Sequence, residues 1–187
     1  YAYSQNVVLV ASSGNQGSNE PHYPSGYSEV ISVGNSTDQD YVSGNSNWGS
    51  TLDLVAPGSS ILSTAMNADY LSFSGTSAAA PFVSATASLI LSKSDFTNEE
   101  VKQILKSTSD DIGGFGWDLN SGAGRLNVFK ALTVTAPAVI KFFSPLQDYS
   151  TSADTMKISA SVLSPYFTSY NLEFGVGFNP DEWIVLI

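Results

Sequence analysis

Phe73-Ser74-Gly75-Thr76-Ser77-Ala78-Ala79-Ala80-Pro81 runs directly into an apolar stretch over residues 82–91. A serine stands where a glycine meets small residues that open a helix too apolar for a surface helix. Gly75 permits backbone angles and close approaches that a side chain blocks, and Ala78, Ala79 and Ala80 leave room beside Ser77. The first helical turn offers unpaired N–H groups and a positive dipole end, which favour the oxyanion formed when a serine attacks a carbonyl. Pro81 is expected in that first turn, where its missing N–H costs nothing. Taken alone, Thr76 or Ser77 reads first as a helix N-cap.

The neighbouring sequence changes that reading. Gly75-Thr76-Ser77-Ala78-Ala79-Ala80-Pro81 resembles the nucleophile motif of the subtilisin-like serine proteases, the subtilases. Val7-Val8-Leu9-Val10-Ala11-Ser12-Ser13-Gly14-Asn15 resembles that family's oxyanion-hole strand. Tyr23-Pro24 through Val30-Ile31-Ser32-Val33-Gly34 resembles its substrate-pocket wall and next strand. Leu52-Asp53-Leu54-Val55-Ala56-Pro57-Gly58 and Gly122-Ala123-Gly124-Arg125-Leu126-Asn127 match two further landmarks, all in the family's order.

The resemblance implies that Ser77 is the nucleophile of a serine endopeptidase acting on polypeptides through an acyl-enzyme. It makes Asn15 the side-chain donor of the oxyanion hole, beside the backbone N–H of Ser77. Ser12, Ser13, Gly14, His22, Tyr23 and Thr76 fall at substrate-binding positions. No cofactor is required, and a weak calcium site at Asp53, with carbonyls near Ser25, Tyr27 and Val30, occurs in some relatives. One carboxylate is thin support for calcium, so a capping or turn role is expected for Asp53 instead. Two departures from the family pattern stand in the helix: Phe82 replaces a common His, and Ala78 a frequent Met.

His22 is the only histidine. A Ser with a His is the obvious catalytic pair, yet His22 falls on the pocket wall, just before Tyr23-Pro24. It reads as an exposed residue that narrows the pocket. The family's Asp and His are expected upstream of Tyr1, so this segment alone is expected to be inactive. The missing half of the catalytic domain is then a partner in the fold.

Composition agrees with a packed globular chain. Its 187 residues are 42% hydrophobic and 13% charged, enough for one core and part of a second unit. Seven basic and 17 acidic residues give a formal charge of -10, which argues against nucleic acid as a partner because phosphate binding needs clustered Lys and Arg. No apolar run is long enough for a membrane span, and the absence of Cys excludes disulfides and thiolate metal sites. Neither a signal peptide nor an initiating Met opens the chain, which reads as an internal piece of a secreted or cell-surface protein.

The fold class expected is α/β. A partial parallel sheet with a buried central helix occupies residues 1–135, and the start of an immunoglobulin-like β-sandwich occupies 136–187. Buried strands are expected over 6–11, 29–34 and 52–55, short strands over 59–64 and 70–73, and the central helix over 81–92. Thr97-Asn98-Glu99-Glu100 is a capping box opening an amphipathic helix. Asn127 caps a last short helix, after a glycine-rich loop over 109–124. Beyond Ala136-Pro137, strand-like segments over 138–143, 155–162, 169–176 and 183–187 alternate with turn residues. The stretch from Tyr170 through Asn179-Pro180 to Trp183 resembles repeats appended to secreted bacterial proteases. About four strands fall short of a sandwich of roughly seven.

Two other readings are weighed against the protease. One is a noncatalytic surface or assembly protein that keeps the fold and binds through the sandwich. The other is an α/β-hydrolase esterase, set aside because Ala79 stands where that family's Gly-x-Ser-x-Gly elbow requires glycine.

Overall fold

The computed structural model describes residues 1–144, 150, 152, 155–163, 169–176 and 182–186. Three parallel strands, β1 (Leu9–Ser12), β2 (Val30–Ser36) and β3 (Leu54–Pro57), lie in the order β1-β2-β3, with Leu9 opposite Val30 and Val33 opposite Leu54. β2 is buried along its whole length because strands flank it on both sides. β1 is only half-buried, contrary to the doubly covered strand its apolar run predicts, because β2 alone pairs with it among the described residues.

β4 (Ile61–Thr64) and β5 (Tyr70–Phe73) form an exposed antiparallel hairpin that delivers the chain to α1 (Thr76–Leu91). The helix opens five residues before Pro81, which therefore lies inside it rather than in its first turn. There the ring removes the N–H that would bond the Ser77 carbonyl. Thr76, Ala79, Val83, Thr86, Ala87 and Ile90 make up the buried face. They pack with Ile31, Val33, Leu54 and Ala56 of the sheet, and with Val101, Ile104 and Leu105 of α2 (Asn98–Ser107).

The opposite face of α1 corrects the expectation of a helix buried on most sides: Phe82 is 39% exposed and Leu89 47%. An apolar helix reads as fully buried only when layers cover both of its faces. Here the sheet, α2 and α3 (Val128–Thr133) cover one.

The caps agree with expectation. Thr97 and Glu100 close a reciprocal capping box on α2, and the Asn127 side chain accepts from Lys130 N–H at 2.9 Å to start α3. Residues 122–126 dock on β3, with Leu126 N–H donating to Val55 O at 2.8 Å and Val55 N–H to Gly124 O at 3.0 Å. Residues 41–51 form turns, with an isolated bridge from Ser36 to Val42.

Asp110 pins this return segment to α3. It accepts from Lys130 Nζ at 2.7 Å, Asn127 Nδ2 at 2.9 Å and Arg125 at 2.8 Å, and Arg125 also pairs with Asp40. The hydrogen bond from Lys130, then those from Asn127 and Arg125, lower the Asp110 pKa from 3.8 to about 2. A depressed carboxylate pKa stabilises the fold above the unfolded value, and the contribution disappears as pH falls through the folded one. The stability difference between the protein and Asp110→Asn should therefore be constant above about pH 5 and shrink between about pH 4 and 2. Urea unfolding across that range measures it.

Asp53 departs from both readings of its role. It is 6% exposed and accepts Ser32 N–H at 2.9 Å, while Lys102 and Lys106 approach its oxygens at 2.9 and 3.2 Å. Lys102 Nζ also donates to Ser28 O and Val30 O at 3.0 and 3.1 Å. An ammonium thus takes the carboxylate and a carbonyl that a calcium ion at Asp53 would need, so the weak calcium site found in some relatives does not fit these side chains. Lys102→Met should destabilise the fold by about 1–3 kcal/mol, because it strips a donor from three acceptors. A lower denaturation midpoint with unchanged slope would report it.

β6 (Val139–Ser144) pairs antiparallel with β7 (Ser159–Leu163), and β8 (Glu173–Gly175) with β9 (Trp183–Val185). Among the described residues these are two separate ribbons. β7 and β8 are shorter than their apolar segments predict. Asn179-Pro180 lies outside the described residues.

Candidate active site

The carboxyl end of β1 and the amino end of α1 meet at the same edge of the sheet, where open α/β sheets place their ligands. β1 ends at Ser12, and Ser13 N–H still bonds Val33 O at 2.9 Å. Gly14 then turns the chain with φ +107°, and Asn15 emerges exposed. From the other side, Gly75 N–H is held by Gly58 O at 2.8 Å. Gly75 has φ +141°, and a Cβ there would stand 3.1 Å from Asn15 Oδ1. Only glycine combines that backbone with so close a neighbour.

The contact between the two segments fixes the direction of the Asn15 amide. Its Oδ1 accepts from Thr76 N–H at 2.8 Å and from Thr76 Oγ1 at 3.0 Å. Thr76 Oγ1 in turn accepts Gly14 N–H at 3.3 Å. With both Oδ1 lone pairs engaged, a flip would set the Nδ2 donors against the Thr76 N–H. Nδ2 is thereby left without a hydrogen-bond partner among the described residues, and Ser77, the residue after Thr76, is exposed, with no partner for its Oγ among them.

Three of the residues expected at substrate-binding positions are buried. Thr76 is 0% exposed, and its N–H and hydroxyl both hold Asn15. Ser13 is 5% exposed and its hydroxyl donates to Asn47 O at 3.2 Å. Gly14 is buried behind Asn15. Ser12 is half-buried at the strand end. His22 and Tyr23 are exposed. The His22 carbonyl accepts from Ser25 Oγ and Gly26 N–H, both at 2.6 Å, and Tyr23 packs on Tyr27 with centroids 4.7 Å apart. No hydrogen bond links the His22 ring to Ser77 among the described residues.

The sequence reading missed Gln16 and Asn47, which brace the loop on either side of Asn15. Asn45-Ser46-Asn47-Trp48-Gly49 looks like turn chemistry, and only its pairing with residues 13–18 in space shows more. Among the described residues, no group of His, Asp or Glu is arranged to hold a metal ion, and no helix is long and apolar enough to cross a membrane.

At this edge of the sheet an exposed serine stands in the first turn of α1, one residue after the threonine that holds Asn15. The profile of the Subtilase family matches residues 1–124. The chain belongs to the subtilase family. Similar proteins include thermitase of Thermoactinomyces vulgaris, 38% identical over 134 residues that make up 71% of this chain and 46% of thermitase. A thermophilic serine proteinase of Bacillus sp. (strain AK1) is also 38% identical, over 71% of this chain and 32% of its own length. Among solved structures, the prenylagaramide maturation protease PagA superposes with a TM-score of 0.63 at 32% identity, covering 70% of this chain and 51% of its own. A lanthipeptide protease gives 0.64 at 28% identity, over 71% and 52%. This subtilase chain therefore spans about half the length, or less, of the relatives it matches.

Proposed function

We propose that the protein is a serine endopeptidase whose Ser77 attacks the carbonyl of a peptide bond in a polypeptide substrate. The observation that carries this reading is the amide of Asn15, whose Oδ1 is locked by Thr76, the residue before Ser77, so that Nδ2 is left as the free donor. In the first step Ser77 Oγ bonds the carbonyl carbon, and its proton passes to a general base. The developing oxyanion accepts from Asn15 Nδ2 and Ser77 N–H, donors that need no reorganisation. Collapse expels the amine with a proton returned by the base, leaving an acyl-enzyme on Ser77 that water hydrolyses.

The base and the carboxylate that orients it lie outside residues 1–187, in the parent protein upstream of Tyr1. Among the described residues, no hydrogen bond joins the His22 ring to Ser77. The exposed face of α1 and the unpaired edge of β1 are the surfaces that the upstream half of the catalytic domain covers. On this reading the segment alone is inactive and exposes apolar surface.

The catalytic unit ends near residue 135, and residues 136–187 begin an immunoglobulin-like β-sandwich, of which the two antiparallel ribbons are the described part. No cofactor takes part. The protein acts outside the cell or at its surface, as the similar "Cell wall-associated protease" of Bacillus subtilis is named.

Incubation of the parent with an unfolded protein, followed by sequencing of new amino termini, tests the reading. Internal cleavages that stop after treatment with a serine-directed fluorophosphonate support it. An intact substrate with folded parent promotes the noncatalytic binding role. His22, exposed on the pocket wall, is proposed to narrow the site for the residue before the cleaved bond. His22→Gly should shift the preference there toward larger side chains, in cleavage profiling of a peptide library. An unchanged profile would remove His22 from the pocket.

A further inference from the structure

We infer that Asn47 is the positioning residue for the oxyanion donor, acting on Asn15 through the loop that carries it. This rests on the proposed role of Asn15 in turnover. Residues 13–18 leave β1 without regular secondary structure, so something else must hold Asn15 in place. Asn47 spans that loop. Its Oδ1 accepts Gln16 N–H at 2.8 Å and Ser18 N–H at 3.2 Å, and its backbone N–H donates to Gly14 O at 2.9 Å. Its carbonyl takes the Ser13 hydroxyl at 3.2 Å.

The remaining donor reaches Asn15 by one intermediary. Asn47 Nδ2 donates to Gln16 Oε1 at 3.2 Å, and the same oxygen accepts Asn15 N–H at 3.2 Å. Asn47 is 5% exposed, so its own bonds are partly shielded from competing water, while the bond from Asn15 N–H to Gln16 Oε1 lies at the surface. Gly14 lets the clamp close, since a Cβ there would lie 2.5 Å from Asn47 Nδ2. Thr76 fixes the Asn15 side chain from the helix, and Asn47 fixes its backbone from the opposite side. Both are needed for a donor to meet a charge that exists only in the transition state.

A residue acting this way changes turnover more than substrate affinity, and its effect disappears when Asn15 cannot donate. The test compares the parent with Asn47→Ala, Asn15→Ala, the double variant, Gln16→Met and Gln16→Glu, recording kcat and KM on a chromogenic peptide and each melting temperature. We expect Asn47→Ala to lower kcat about 10- to 100-fold, the cost of a misplaced group, with KM within about twofold. The double variant should match Asn15→Ala alone. Gln16 is exposed, so Gln16→Met keeps the fold and decides the matter if Asn47→Ala does not. It should lower kcat several-fold, and Gln16→Glu, which retains the acceptor, should restore it.

Additive losses in the double variant, or a change confined to KM, overturn the inference. So does full turnover in Asn47→Ala and Gln16→Met beside a lowered kcat in Asn15→Ala, and that result leaves the role of Asn15 standing. Full turnover in Asn15→Ala overturns that role, and this inference with it.

Discussion

Ser77→Ala in the full-length parent should lower peptide turnover by about 10⁶-fold, the loss that removal of the nucleophile causes in subtilisin. The fold should survive the change. Ser77 is exposed, its Oγ bonds nothing among the described residues, and Ala is a better helix former at that position. A melting temperature within a few degrees of the parent's, with hydrolysis near background, is the expected pair of results. KM carries little information here, because residual turnover in such a variant reflects binding and the oxyanion donors alone. A parent that keeps a tenth of its rate without the Ser77 hydroxyl would show that the chemistry runs elsewhere.

Asn15→Ala removes a donor rather than the nucleophile, and its expected cost is smaller, about 10²–10³-fold in kcat, the value such a donor carries in subtilisin. The substrate carbonyl is a weaker acceptor than the oxyanion that replaces it, so KM should stay within about threefold. The variant also strips Thr76 of the acceptor for both its N–H and its hydroxyl. A modest stability loss of about 1 kcal/mol accompanies the kinetic one for that reason. Measured kcat and KM separate the two effects. A raised KM with unchanged kcat would place Asn15 in ground-state binding instead.

Much of this site is legible in the sequence because its parts are local. Gly75 before Ser77, and Gly14 before Asn15, announce sharp turns at the ends of periodic segments, and the capping box at Thr97 declares its helix outright. The bracing of Asn15 is not legible, since Asn47 lies 31 residues from Gln16 and its sequence neighbours read as an ordinary turn. The resemblance places Thr76 among the substrate-binding positions, and nothing in its neighbours announces that it is buried against Asn15. Its burial depends on how closely the helix end approaches β1, which no spacing rule encodes.

The fold divides in the same way. Strand and helix positions followed from apolar runs, but burial did not. β1 reads as buried on both faces and α1 as buried on most sides, and each has one uncovered flank among the described residues. Hydropathy records what an element can bury, not which neighbours are present to bury it. Asp53 shows the limit for charge, because the lysines that take its oxygens come from a helix 49 and 53 positions later. In the carboxyl-terminal residues, strands lie within or beside the expected segments, but among the described residues they form two separate ribbons, a pairing that alternation cannot specify.

Labelling of the full-length parent with a fluorophosphonate, followed by mass spectrometry of the peptide that contains Ser77, tests the central claim most directly. The account predicts one phosphonylated residue, Ser77, in the native parent. It predicts none in Ser77→Ala or in residues 1–187 alone, where no base activates the hydroxyl. A natively folded parent that stays unlabelled, or carries its label on another serine, would contradict it.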